Sequence, residues 1–307
     1  MLPDQGVLRE IVASYARLRA AHGEAIGECA LLQPTGEFFP DAFAPDAQGV
    51  ARLLGRMLTY APLASDLPLE LTFVDAGEGE GGGCGSGACG SGGGGGARTR
   101  LVQDLGDRYR VSVAAADVAN PVLLTTSLAR AIGELVLYEA GEVAADVDPA
   151  ESEVAGAVCG FGVLLASGAA VWAKACGGLR VTRATVLSVE EATVALALFV
   201  AVSGTDASDA RRHLDTTQRE AFDFAWEWAE SNWMLVERLR DRPSVLAEGA
   251  FELEPLRGPI GRWLHKRRLD RALRAPAPPR APISDAKRRH LEEAKALVEE
   301  AFEPGGS

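Results

Sequence analysis

Residues 125–137 read TTSLARAIGELVL, a helical run that sits inside an apolar segment with clear start and stop signals. Asn120 followed by Pro121 opens the helix: an Asn side chain can cap the first free amides, and proline is pre-shaped for the first turn. The run extends to about Glu139 and stops at Gly141. Within it Arg130 and Glu134 stand four residues apart, on one face of the helix.

Working outward, each flanking segment carries its own punctuation. Asp148-Pro149-Ala150-Glu151 has the form of a capping box and opens a helix towards Ser167. Ser188-Val189-Glu190-Glu191 opens another, ending near Gly204, and Ala170 to Trp172 and Leu179 to Thr182 between them read as short strands. Thr217-Gln218-Arg219-Glu220 caps a long helix to about Arg240, with Phe222, Ala225, Trp226, Ala229, Trp233 and Val236 as its core stripe. On the N-terminal side, Val7, Ile11, Tyr15 and Leu18 mark a helix over residues 6–21, and Val50, Leu53, Leu54 and Met57 mark one over residues 47–60. Residues 69–74 (LELTFV) and 109–113 (YRVSV) read as strands on either side of a segment with 13 glycines in 20 residues, which predicts a hairpin-like antiparallel sheet around a flexible insertion.

The expectation is an α+β, mostly helical domain over residues 1–255 with the glycine-rich insertion at 76–97. A basic Pro-rich linker (256–283) and a C-terminal helix and tail (284–307) follow. The net charge of −12 is divided unevenly: residues 257–290 carry +9 and the remainder −21. The acidic body is therefore expected to repel nucleic acid and anionic membranes. The basic patch with Trp263, Lys266, Arg267 and Arg268 could recruit a partner or dock on the chain's own acidic surface. Residues 154–173 are uncharged and long enough to span a bilayer, but Gly156, Gly160, Gly162, Ser167 and Gly168 dilute them. A buried helix followed by a strand is expected there instead. Without a basic stretch leading into an apolar run at the start, and with an odd, scattered set of five cysteines, the expected compartment is the cytoplasm.

Several chemistries are excluded by residue type. No glycine precedes a lysine, so a Walker A phosphate loop is absent. The two G-x-G-x-x-G matches, at Gly77-Gly79-Gly82 and Gly85-Gly87-Gly90, run into more glycine rather than into an apolar helix. No serine occupies a nucleophile elbow. The four histidines are far apart and read as surface or tail residues. Cys84 and Cys89 could supply half a zinc site, form a reversible disulfide, or stand as unpaired thiols. No cofactor is expected.

On the phrases TTSLARAIGELVL, ESEVAGAVCGFGVLLAS (151–167), PTGEFFPD (34–41), LSVEEATVALALF (187–199) and His213-Leu214-Asp215, the chain resembles zincin-type metallopeptidases, specifically an uncharacterised bacterial group bearing HExxH. The resemblance implies zincin-like helices packed on a small sheet. It lays the first histidine of that motif on Arg130, the catalytic glutamate on Ala131, the second histidine on Glu134 and the third ligand on Glu153. A guanidinium cannot ligate a cation and an alanine cannot accept a proton, so zinc peptidase activity is not expected. Two readings of the remaining charges stay open: a solvent-exposed ion pair between Arg130 and Glu134, or a buried trio in which Arg130 takes the former metal position, held by Glu134 and Glu153. The functional expectation is a non-catalytic scaffold or interaction protein on a degenerate metallopeptidase-like fold. The alternatives are an enzyme with an unrecognised carboxylate site, or a module acting through its basic tail.

Overall fold

A run of twelve residues on one helix, Thr126 through Leu137, is buried without interruption, so every face of that helix is packed. It is α4 (Pro121–Glu139), packed against the helices Ala47–Leu58, Pro149–Gly156 and Gly162–Gly168 and the strands Val102–Asp104 and Tyr109–Ala114. The computed structural model describes residues 1–74, 100–141, 148–175 and 178–255. In chain order these form α1 (Gln5–His22), α2 (Glu24–Gly27), α3 (Ala47–Leu58), β1 (Leu69–Val74), β2 (Val102–Asp104), β3 (Tyr109–Ala114), a 3-10 turn (Ala115–Ala119) and α4. Then come α5 (Pro149–Gly156), a π turn (Ala157–Phe161), α6 (Gly162–Gly168), β4 (Val171–Ala175), β5 (Gly178–Thr182), α7 (Val189–Ser203), α8 (Ala207–Arg211), α9 (Thr216–Ser231), α10 (Trp233–Asp241) and α11 (Ser244–Ala247). The protein is mostly helical α+β. Met1–Gly258 is one compact unit and Pro259–Ser307 another. The glycine-rich insertion at 76–97, the linker over 256–283 with its basic patch, and the C-terminal helix over 284–307 lie outside the described residues.

Three of the four caps read from sequence are present; the fourth is not, since Thr217 lies inside α9, which starts at Thr216 with Asp215 at the N-cap position and no side-chain cap bond. Asn120 Oδ1 accepts from the Val122 and Leu123 amides at 3.1 and 3.3 Å. Asp148 accepts from Ala150 N at 3.0 Å, although Glu151 turns outward to an ion pair with Arg17 instead of closing a box. Ser188 and Glu191 make both arms of a capping box, and Gly204 ends α7 in the left-handed region at φ 76°.

Three expectations are corrected. First, β1 and β3 do not form a hairpin: they pair in parallel from Leu69↔Tyr109 to Val74↔Ala114, and β2 pairs antiparallel with β3 on its other side. The hairpin is β2–β3, closed by Leu105 N donating to Arg108 O at 2.9 Å with Gly106 at φ 88°. The long connection out of β1 provides the chain length that a parallel crossover needs. Second, the helix expected from residue 217 to 240 breaks at Asn232, where the side chain leaves helical duty. Its Nδ2 donates to Glu254 O at 3.1 Å and its Oδ1 accepts from Glu254 N at 2.7 Å, fastening the chain at residue 254 to the helix pair. Trp228, buried to 1% exposure, takes the core place expected of Trp226 and Trp233, both only partly buried. Third, the helix after Pro149 is interrupted by the π turn, in which Gly160 has φ 92°. Gly160 O accepts from Leu32 N at 3.0 Å, and a Cβ there would meet Ala30 O at 2.0 Å. Only glycine combines that φ with that approach.

The segments Pro121–Glu139 and Pro149–Gly168 are long and apolar enough to cross a membrane by length and composition, yet 72% and 83% of an apolar 18-residue stretch in each is buried inside the fold. They are spent on the core. α4 and α5 approach until their backbones touch: a Cβ on Gly133 would lie 1.9 Å from Ser152 O, and one on Gly156 would lie 2.9 Å from Ala129 O. α7, apolar all round, is buried between α6, α9 and α1, as a helix without a polar face must be.

Candidate functional site

The close crossing of α4 on α5 decides what happens to the charged residues beside it. Arg130, Glu134 and Glu153 are 4%, 5% and 0% exposed, so the exposed ion pair is not found. Arg130 Nε lies 2.9 Å from Glu153 Oε1, and its Nη1 donates to Ala184 O at 3.1 Å. Glu153 is turned towards the loop before α7, where Oε1 accepts from Val186 N at 2.7 Å and Oε2 from Leu187 N at 2.8 Å. Glu134 faces the sheet: its Oε2 accepts from Leu101 N and Val102 N at 3.0 and 3.3 Å, while Oε1 is buried with no hydrogen-bond partner among the described residues. Arg130 attracts Glu134 and Asp117 electrostatically. Asp117, in the 3-10 turn, accepts from Ser127 Oγ at 3.0 Å.

The trio is therefore a brace with unequal members. Arg130 and Glu153 tie α4, α5 and the loop at 184–187 together, and Glu134 ties α4 to the start of β2. The i,i+4 spacing alone pairs Arg130 with Glu134, but two strand amides compete for Glu134. A third partner on α5 takes the guanidinium. Ala131, 1% exposed, is a core residue.

Burial sets the electrostatics. Glu153 is pushed up from 4.5 to about 7 by loss of water, against the pull of Arg130 and of the Leu187 and Val186 amides. Glu134 is raised and Arg130 lowered, in each case first by desolvation. A carboxyl whose folded value exceeds its unfolded value binds its proton more tightly in the fold. Its contribution to stability is thus fully present below about pH 4.5 and is lost as the pH rises through about 7. Wild type should lose stability relative to Glu153→Gln between those limits, by about 3 kcal/mol at most. Urea unfolding of both proteins across pH 4.5–8 checks this. A wild type that gains stability with pH over that window would mean that the ion pair outweighs burial.

Zinc, which the resemblance implies for proteins of that group, does not fit these residues. A fixed cation stands beside Glu153, both oxygens of Glu153 are engaged by amides, and no histidine is present. Among the described residues no group of three His, Cys, Asp or Glu could hold a metal ion. Cys84, Cys89 and the patch at Trp263, Lys266, Arg267 and Arg268 lie outside the described residues.

A concave surface lies elsewhere. A cleft of about 760 Å³ is formed by the 34–43 segment, α3, the first turn of α4, the end of α6, the start of β4, and the loop before α9. None of Arg130, Ala131, Glu134 or Glu153 lines it. Phe43, Val122 and Trp172, three large apolar side chains left exposed, meet at this cleft together with Arg52, His213 and Asp215. His213, read from sequence as an ordinary surface residue, is half-buried, with Nε2 3.1 Å from Gln33 Oε1. Burial and the neighbouring Arg212 lower its pKa. The cleft gathers PTGEFFPD and His213-Leu214-Asp215, segments some 175 residues apart whose meeting no local pattern reveals. Comparison of the chain with protein-family models, with curated proteins and with solved structures finds no match in any of the three.

Proposed function

We propose that this chain is a non-catalytic scaffold or interaction protein, built on a degenerate zincin-like fold in which an ion pair has replaced a metal as the link between two core helices. The observation that carries the reading is the buried contact of Arg130 with Glu153 at 2.9 Å. A permanently cationic group occupies the place where the resemblance puts a ligand, and the base position is Ala131. The carboxylates are also buried, and Glu134 Oε2 and both oxygens of Glu153 serve backbone amides at the start of β2 and in the loop before α7. An interaction role has the cleft available to it, and the cytoplasm suits a chain whose described cysteines, Cys29 and Cys159, are free thiols.

The test is an assay of the purified full chain on a mixture of fluorogenic peptides, with and without added zinc. No turnover is expected in either condition. Cleavage that a chelator abolishes would overturn the reading. The cleft supports a second possibility, an enzyme using carboxylates, because Asp41, Asp215 and His213 all line it. Chelator-resistant turnover lost in Asp215→Asn would favour that alternative.

A further inference from the structure

The described cysteines lie far apart in sequence and meet in space. Cys29 sits in the bend after α2, and Cys159 lies inside the π turn. The two segments are fixed against each other by the Leu32 N to Gly160 O bond of 3.0 Å and by the close approach of Ala30 O to Gly160. The two side chains interact, and Cys29 Sγ donates to Ala25 O at 3.5 Å. Cys29 is partly exposed, whereas Cys159 is fully buried. Arg19 and Gly27, the latter two residues before Cys29, line a cavity of about 390 Å³ together with Tyr15 and Arg240. Arg19 approaches within 3.7 Å of the space beside the Gly27 Cα.

We infer that Cys29 and Cys159 form a hydroperoxide-reactive thiol pair, Cys29 the attacking sulfur and Cys159 the resolving one. The arrangement divides the labour that such chemistry needs: an accessible sulfur beside a guanidinium and a protected partner within contact. The Cys159 contact lowers the Cys29 pKa, burial opposes it and the Arg19 charge adds to the lowering, while Cys29 and burial raise that of Cys159. Cys29 thiolate attacks the terminal oxygen of ROOH, the O–O bond breaks, and RO⁻ leaves and takes up a proton as ROH. The resulting Cys29 sulfenic acid is attacked by Cys159 sulfur. The S–O bond breaks, the Cys159 proton joins the leaving hydroxide as water, and the disulfide forms. Two thiols are oxidised by two electrons and one hydroperoxide is reduced; an added dithiol reverses the disulfide by exchange.

The test treats the full chain with hydrogen peroxide near stoichiometry and maps tryptic peptides under non-reducing conditions. Cys29, Cys159 and Cys176 fall on separate peptides, and Cys84 and Cys89 share another. The expected product is a cross-linked pair of the Cys29 and Cys159 peptides, two hydrogens lighter than the free peptides and restored by a dithiol. In Cys159→Ser the reaction should stop at a Cys29 sulfenic acid that dimedone traps. In Cys29→Ser, Cys159 should remain a thiol. Free Cys29 and Cys159 in wild type after the other cysteines have oxidised would overturn the proposal. So would oxidation of Cys159 at an undiminished rate in Cys29→Ser.

Discussion

Arg130→Ala should destabilise the fold by about 3–5 kcal/mol, because removing one member of a buried ion pair leaves the other without compensation. For a chain of this size the melting temperature should fall by roughly 10 °C. Glu153, at 0% exposure, loses the cation 2.9 Å away, and Ala184 O loses its donor. Part of the cost is relieved by protonation, since the Glu153 carboxyl already titrates at about 7. The loss should therefore be smaller at pH 5 than at pH 8. Glu153→Ala should cost at least as much, because it also strands the Val186 and Leu187 amides, which accept no substitute from an alanine. Calorimetric melts of both variants decide the matter. An Arg130→Ala melt that coincides with wild type would show that the pair is not a brace.

Gly133→Ala should be similarly damaging for a steric reason. The added Cβ would meet Ser152 O at 1.9 Å and Gly156 N at 2.6 Å, and both are backbone atoms of the facing helix that cannot rotate away. α4 and α5 must move apart, which stretches the Arg130–Glu153 contact across the same crossing. The expected cost is about 3 kcal/mol or more, at or above the upper end for overpacking. Gly55 in α3 provides the control: nothing lies within 4 Å of its Cβ position, so Gly55→Ala should be neutral or stabilising by up to about 1 kcal/mol. Chemical unfolding of the two variants separates them. Equal stability of Gly133→Ala and wild type would contradict the close crossing.

What could be read from the sequence was local. Asn120, Asp148, Ser188 with Glu191, and Gly204 mark helix ends because a cap acts on amides or carbonyls a few residues away. The buried character of the helix after Pro149 followed from its apolar length. What could not be read depends on distant partners. The parallel pairing of β1 with β3 is settled across residues 75–108, and three-residue β2 is too short to leave a pattern. The break at Asn232 exists because Glu254 supplies an amide and a carbonyl for its side chain.

The site was half legible for the same reason. Arg130, Ala131, Glu134 and Glu153 were singled out by the resemblance, and three of the four carry the brace. Which carboxylate holds the guanidinium depends on strand and loop amides more than 30 residues away, outside any helical spacing rule. The cleft and the Cys29–Cys159 pair, 130 residues apart in the chain, left no local signal.

Zinc binding by the Cys84→Ser/Cys89→Ser double variant, purified at pH 7, equilibrated with zinc and analysed for metal, bears most directly on the proposal that an ion pair stands in place of a metal. With Cys84 and Cys89 replaced, the protein should retain no stoichiometric zinc, and a chelator should leave its melting temperature unchanged. One tightly held zinc per chain, released by Glu153→Gln, would contradict it.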